Sequence, residues 1–327
     1  MMRNFRGKSV VVTGGAGFIG SHFVDKLVEL GAKDIFVLDN FYLGKLKNVQ
    51  HHITASNKGE GSSVIVKMID VSNMEDVDRF FSKYNIDIII NLAVVPLLAS
   101  LESPYFTVTH NVAITIAMCE MVRRGLAKVL IQFSSSGVYG NQDIKMKEFT
   151  HRIPVTPYDA SKLASEEIVF SYCRTFGIDA LVIRPFNTYG PRQNSGSFAG
   201  VVPTVINRML KNKPSVIVYG NGAQTRDFIY VSDVVDITIK SYEVSEGQVI
   251  NAGTGIKCSI NYLIDMLTDI IGYDRTRIIH MEDRCGEINN RQSDNSFMCS
   301  LLGVSPKIDL YSGLKKTVDW YRQDLEV

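Results

Sequence analysis

Ser9-Val-Val-Val-Thr-Gly-Gly-Ala-Gly-Phe-Ile-Gly20 is the stretch on which the reading of this chain turns. A short β-branched run passes at once into glycines. A helical pattern then carries Phe23, Leu27 and Leu30 until Gly31 stops it. Strand, glycine turn and helix in this order open a dinucleotide-binding unit. Glycines permit the tight turn and let backbone N–H groups approach a pyrophosphate at the helix N-terminus, where the helix dipole favours an anion. The spacing here is GxxGxxG, through Gly14, Gly17 and Gly20. The next strand, Asp34-Ile-Phe-Val-Leu38, ends in Asp39-Asn40, with Asp39 nineteen residues after Gly20. That is near the separation expected for an acid that binds a ribose diol. A carboxylate there would repel a 2′-phosphate, and no Arg or Lys occupies 40–43 to receive one, so NAD is expected rather than NADP.

The same alternation continues outward. Val64–Ile69 reads as a third strand leading to Asp70-Val71, followed by a helix over 73–83. Ile86–Ala93 is a nearly continuous apolar run, as in a parallel strand covered on both faces. A long helix over 104–122 contains Asn111, and strands follow at 128–133 and 179–184. Between those two strands, Thr156-Pro157 reads as a helix start, Thr as N-cap and Pro as first helical residue. This β-α period implies an α/β fold with a doubly wound parallel (Rossmann) sheet, and a ligand at the carboxyl ends of the strands. After about residue 190 the rhythm loosens, with helices over 199–212, 259–271 and 311–324 and short strands near 216–219 and 226–231. We expect a dinucleotide-binding domain over 1–190 and a smaller α/β substrate lobe over 191–327, interleaved near the boundary.

Composition narrows the function class. With 327 residues, 45% apolar and 21% charged, the chain reads as an ordinary globular protein with a sizeable core. A net charge of +1 with no basic block gives no sign of nucleic acid or a membrane surface as partner. No apolar run approaches the roughly 20 residues of a membrane span, and the N-terminus carries no apolar signal region. The cysteines at 119, 173, 258, 285 and 299 are odd in number and form no CxxC pair, which suits free thiols in a reducing cytoplasm. His51-His52 has no accompanying ligand cluster in the sequence, reads as an exposed loop, and no metal is expected.

The chemistry concentrates between Lys128 and Lys162. A buried strand to Phe133 runs into Ser134-Ser-Ser-Gly-Val-Tyr-Gly140, and Tyr158-Asp-Ala-Ser-Lys162 follows. Tyr158 and Lys162, four apart on a helix, project from one face. An ammonium beside a phenol favours the phenolate and should lower a pKa that is about 10 when unperturbed. A serine from the strand end could relay a proton between that phenolate and a substrate hydroxyl, which is machinery for making or breaking a carbonyl.

Together GGAGFIGS, Asp39, Asn-Leu-Ala at 91–93, SSSGVYG, PYDASK, RPFNTYGPRQ and GNGAQTRDFIYVSD resemble the extended short-chain dehydrogenase/reductase family, in its nucleotide-sugar epimerase and dehydratase branch. The resemblance runs from Gly14 to about Tyr321. It implies that Gly14, Gly17, Phe18, Ile19 and Gly20 wrap the NAD pyrophosphate. Asp39 would serve the adenosine ribose, Asn40 would belong to the same cofactor site, and Asp70-Val71 would serve the adenine. Leu92, Ala93, Asn111 and Pro185 would lie toward the nicotinamide. It implies Tyr158 as general base, Lys162 on the nicotinamide ribose, and Ser135 as the catalytic hydroxyl. Ser135, Ser136, Asn187, Val202, Arg226 and Arg284 would meet the nucleotide-diphosphate sugar, and two arginines suit a diphosphate as fork-shaped donors. It further implies a homodimer through the 104–122 and 158–175 helices.

The reaction implied by the resemblance removes the sugar 4-hydroxyl proton and passes the C4 hydride to NAD⁺. Epimerases then return the hydride to the other face, dehydratases expel water, and uronate decarboxylases lose CO₂. Dehydratases typically carry Asp-Glu directly after the catalytic hydroxyl residue, and decarboxylases a Glu at the second place. Here those places are Ser136 and Gly137, neither of which transfers a proton as a carboxyl would. The expectation is therefore a UDP-sugar 4-epimerase, with 4,6-dehydratase or decarboxylase as the alternative and a non-catalytic NAD-binding regulator behind both. Asn91–Ser100 is one residue shorter and more apolar than the usual family loop, which points to a sugar pocket of its own kind.

Overall fold

The computed structural model describes residues 3–59, 61–244, 247–282 and 288–326. Its centre is a seven-stranded sheet in which every pairing is parallel. In chain order the strands are β1 Ser9–Thr13, β2 Asp34–Asp39, β3 Ser63–Met68, β4 Ile88–Asn91, β5 Val129–Phe133 and β6 Asp179–Pro185. The C-terminal region adds β7 Asn187–Tyr189, β8 Val216–Tyr219, β9 Thr225–Tyr230, β10 Val249–Ala252, β11 Lys257–Ser259 and β12 Ile278–Met281. The large sheet runs β10-β6-β5-β4-β1-β2-β3, with the order reversing direction at β1. Ligands of such sheets bind at that switch, outside the strand carboxyl ends.

Alternation along each strand feeds two cores. Val10 and Val12 of β1 and Ile88 and Ile90 of β4 pack on one face. Val11 and Ile89 face the other, against Met118, Cys119 and Met121 of the helix Pro104–Arg123. A third core holds the smaller lobe together, with Val202, Ile206, Val218, Phe228, Leu263 and Val318 at its centre. Its strands form two small sheets, β11-β9-β7 and β12-β8.

β10 is the element that periodicity does not disclose. Lying beyond residue 190, it returns to the large sheet and pairs with β6 from Val249↔Val182 to Ala252↔Pro185. The helix Val231–Val244 comes back with it, placing Val234, Val235 and Ile237 in the same core as Val10. His51 and His52 also depart from expectation, because they lie on the helix Gln50–Asn57 rather than in a loop. His52 Nε2 is 2.7 Å and His51 Nε2 3.4 Å from Asp25 Oδ1, while Arg192 binds the other oxygen at 2.7 Å.

Candidate active site

The glycine turn is shaped by contact. Gly14 takes φ +64°, and a Cβ there would press on Ala93 N at 3.0 Å. A Cβ on Gly20 would collide with the Gly14 carbonyl, so the helix Phe18–Glu29 can start this close to β1 only with glycine at both places. That helix starts at Gly17 without a side-chain cap. Its first-turn N–H groups therefore have no intrahelical partner. Phe18, Ile19 and Gly20 line a cavity of about 320 Å³ together with Gly14, Gly17, Asp39, Asn40, Asp70, Val71, Leu92 and Ala93. Eleven of the expected cofactor residues, drawn from four strand ends, thus converge on one space.

Asp39 accepts from Ala16 N at 3.0 Å and Phe41 N at 2.8 Å, and burial raises its carboxyl above the usual range. Asp70 accepts from Ser72 N, Ser72 Oγ and Asn40 Nδ2, and those hydrogen bonds outweigh its burial and lower it. Asn111 does not reach the cavity wall. Its amide is occupied by the Val95 backbone at 2.8 and 3.2 Å and by Ser161 Oγ at 3.0 Å, so it braces the 92–96 loop. Pro185 closes β6 beside Ala252.

Sequence reading missed part of the wall. Tyr42, Lys45, Arg192, Gln193, Asn194 and Phe198 also line the cavity. The Tyr42 and Phe198 rings stack 6.3 Å apart across its mouth. Phe41, Arg192 and Phe198 all have positive φ, a conformation set by tertiary packing that no single residue type advertises.

Ser135, Tyr158 and Lys162 meet at the end of β5. Thr156 and Asp159 form a capping box at the start of the helix Pro157–Phe176, with Pro157 in its first turn. Ser135 Oγ accepts from Gly137 N at 3.0 Å and lies beside the Tyr158 phenol, whose ionised form it favours. Lys162 Nζ donates to the Phe133 carbonyl at 2.9 Å and stands 5.9 Å from the Tyr158 ring centroid. The expected depression of the phenol pKa is not present in this arrangement. Burial pushes Tyr158 well above its usual range, and the neighbouring Asp159 carboxylate pushes the same way. The Ser135 hydroxyl and the charge of Arg291 oppose them without prevailing. Burial in turn draws the Lys162 ammonium down to about 8.

The expected substrate residues divide. Ser136 is buried in the short 3₁₀ turn Ser136–Tyr139. Asn187 Oδ1 is buried without a hydrogen-bond partner. Val202 is buried in the third core, so its side chain is committed to packing. Arg226 NH1 donates to the Ile288 carbonyl at 2.6 Å, tying β9 to the 288–295 segment. Arg284 lies outside the described residues. Arg291 was not anticipated. It is buried and its charge is felt at Tyr158, yet the Asn-Asn-Arg-Gln context gives no pattern to find it by. Two residues on, Ser293 is held by Asp227, which accepts from Ser293 N and Oγ as well as from Thr254 and Gly255.

The family profile described as "NAD dependent epimerase/dehydratase family" matches residues 10–253. The chain belongs to that family. A putative UDP-glucose 4-epimerase of Methanocaldococcus jannaschii is 34% identical over 318 residues, 96% of this chain and 99% of that protein. Among solved structures, the UDP-glucose 4-epimerase of Thermotoga maritima with UDP-glucose superposes with a TM-score of 0.90 at 31% identity, covering 97% and 99% of the two chains. A dTDP-glucose 4,6-dehydratase of Streptomyces venezuelae with NAD bound also reaches 0.90, at 26% identity and 97% and 98% coverage. Family membership makes NAD the cofactor. The residues fit it: open N–H groups at the helix start, close-packed glycines, and two acids at the ends of β2 and β3.

Proposed function

We propose that the protein is an NAD-dependent nucleotide-sugar epimerase that inverts C4 of a UDP-hexose through a transient 4-keto sugar. The observation that carries this reading is the placing of Ser135 beside the Tyr158 phenol, on a loop that presents Ser136 and Gly137 in place of carboxyls. NAD, when bound, supplies a reversible hydride acceptor and a positively charged ring. Tyr158 takes the 4-hydroxyl proton, directly or through Ser135, and returns it after the ring has turned. Lys162, anchored on the Phe133 carbonyl, holds the nicotinamide ribose. Asn187, Arg226 and Arg284 hold the diphosphate and sugar, with the backbone near Val202 beside them.

Elimination would need an acid aimed at the leaving hydroxyl. Asp159 lies against Gly137, but it is 0% exposed beneath the loop, with one oxygen committed to its cap. We further assign NAD binding to residues 3–190 together with the returning 231–252 segment, and nucleotide-sugar binding mainly to the remainder. A homodimer is proposed through the helices Pro104–Arg123 and Pro157–Phe176, which leave Phe106, Ile116 and Phe176 exposed. Among the described residues no helix is long and apolar enough to cross a membrane. That observation and the free Cys119, Cys173, Cys258 and Cys299 support a cytoplasmic location. Incubation with UDP-glucose, UDP-N-acetylglucosamine and UDP-glucuronate, followed by NMR, tests the reaction. A C4-epimer is expected, and a 4-keto-6-deoxy sugar or released CO₂ would overturn it.

A further inference from the structure

One ionisable group beside the Ser135–Tyr158 couple has no place in that mechanism. Asp159 follows Tyr158 directly and is 0% exposed. Its Oδ2 accepts from Thr156 N at 3.1 Å and Thr156 Oγ1 at 2.8 Å. Its Oδ1 is buried with no hydrogen-bond partner. That oxygen lies against Gly137: a methyl group added there would collide with Asp159 Oδ1 and stand 3.2 Å from Ser135 Oγ. Leaving a carboxylate oxygen uncompensated inside a protein is costly, so a cap alone does not account for the group, since a serine or an amide could cap as well. The carboxylate touches the loop that carries Ser135 and adjoins the residue that carries the phenol, which links it to both members of the couple.

We propose that Asp159 is a positioning residue of the reaction. It seats the Ser135 loop on the Tyr158 helix and holds a negative charge beside the phenol, and so sets the pH at which Tyr158 becomes a base. This rests on the reading of Tyr158 as the base. Among the described residues, four groups face the phenol. Asp159 and Lys162 come from its own helix, Ser135 from the loop after β5, and Arg291 from the 288–295 segment. Asp159 favours the neutral phenol and Arg291 the phenolate. Lys162 has its ammonium on the Phe133 carbonyl. Removing the Asp159 charge leaves Arg291 unopposed, so the phenol ionises at lower pH. A neighbouring charge in a partly screened site moves a pKa by about 1 unit or more.

The test separates charge from capping. Asp159→Asn keeps an acceptor for Thr156 and nearly the same shape, so a purely structural Asp159 predicts no change in it. Holoenzyme with NAD, labelled with ¹³Cζ-tyrosine, is titrated as wild type and as Asp159→Asn, with the Tyr158 signal assigned by its loss in Tyr158→Phe. The Tyr158 midpoint should fall by about 1 pH unit in Asp159→Asn. The acidic limb of kcat/KM should move with it while KM changes little. Superimposable titrations overturn the proposal even if the enzyme epimerises normally. A shifted titration in a protein that makes no C4-epimer supports Asp159 and overturns the functional reading instead. If Asp159→Asn does not fold, Gly137 decides. Gly137→Ala should lower kcat by roughly 10- to 100-fold through misplacement of Ser135, and Gly137→Ala with Asp159→Ala should recover much of the loss. Wild-type kcat in Gly137→Ala, or no recovery in the double variant, overturns the proposal.

Discussion

Tyr158 and Lys162 share a helix face, but Lys162 spends its ammonium on the Phe133 carbonyl and not on the phenol oxygen. The protein alone therefore keeps Tyr158 neutral, with burial as the main cause. Replacing Tyr158 by Phe should reduce kcat about 10²- to 10⁴-fold with a small change in KM, as expected for loss of an acid–base group. Steady-state kinetics on the C4-epimer checks this, and unchanged kcat would remove Tyr158 from the mechanism. Ser135→Ala should show a smaller loss if Tyr158 can reach the substrate hydroxyl directly. The Tyr158–Lys162 pair was readable because residues four apart on a helix share a face, whereas Ser135 came only from the family resemblance. Arg291 and Asp159 were not readable. Arg291 acts on Tyr158 from a segment that Asp227 clamps at Ser293, a tertiary arrangement without local pattern. Asp159 reads locally as a helix-start acid, and only the contact with Gly137 gives it a second meaning.

Elements carry the site through two polar clusters. Arg184 on β6 makes a bidentate pair with Glu166 at 2.7 and 2.6 Å and donates to Tyr139 Oη at 2.7 Å. Tyr139 Oη then donates to Asn251 on β10 at 2.7 Å. The helix of Tyr158, the serine loop and two strands are thereby locked together. Arg184→Met should destabilise by about 3–5 kcal/mol in urea unfolding, because the buried Glu166 would lose its bidentate partner and keep only Arg152 at 3.3 Å. Adding Glu166→Leu should restore much of that, and an equal loss in both variants would argue against an uncompensated charge. The second cluster joins Asp25 to His52 and Arg192 at the cavity mouth. Hydrogen bonding from His52 and the nearby Arg192 guanidinium outweigh burial and hold Asp25 at about 2, below its usual 3.8. Its contribution is complete above about pH 4 and is lost as pH falls through 2. Asp25→Asn should therefore flatten the stability–pH curve over that window, read by denaturation at fixed pH. A weaker hold on the Arg192 loop should also raise the Kd for NAD.

The helix from Pro157 was legible because Thr-Pro before Tyr158 is a local signal, and the capping box forms as those residues allow. β10 was not legible. Four residues, Val249-Ile-Asn-Ala252, hold no period of their own, and they become a strand only by pairing with β6.

At the scale of the whole molecule, the large sheet is completed from beyond residue 190. A fragment ending at 190 would expose the β6 edge and the apolar face that Val234, Val235 and Ile237 cover. Such a fragment should be insoluble or fail to bind NAD, whereas the full chain should bind it, as tracked by tryptophan-independent calorimetry. Fold class was readable early because a parallel sheet covered on both faces writes apolar runs into its central strands. The lobe boundary was harder, since crossing back to the sheet leaves no composition shift.

The central claim is reversible oxidation at C4 without elimination, with Tyr158 as base. The direct measurement is ¹H and ¹³C NMR of UDP-glucose incubated with NAD and either wild-type protein or Tyr158→Phe. The account predicts accumulation of the C4-epimer to an equilibrium mixture with wild type, and none on the same time scale with the variant. A 4-keto-6-deoxy product from the wild type, or equal epimerisation by both proteins, would contradict it.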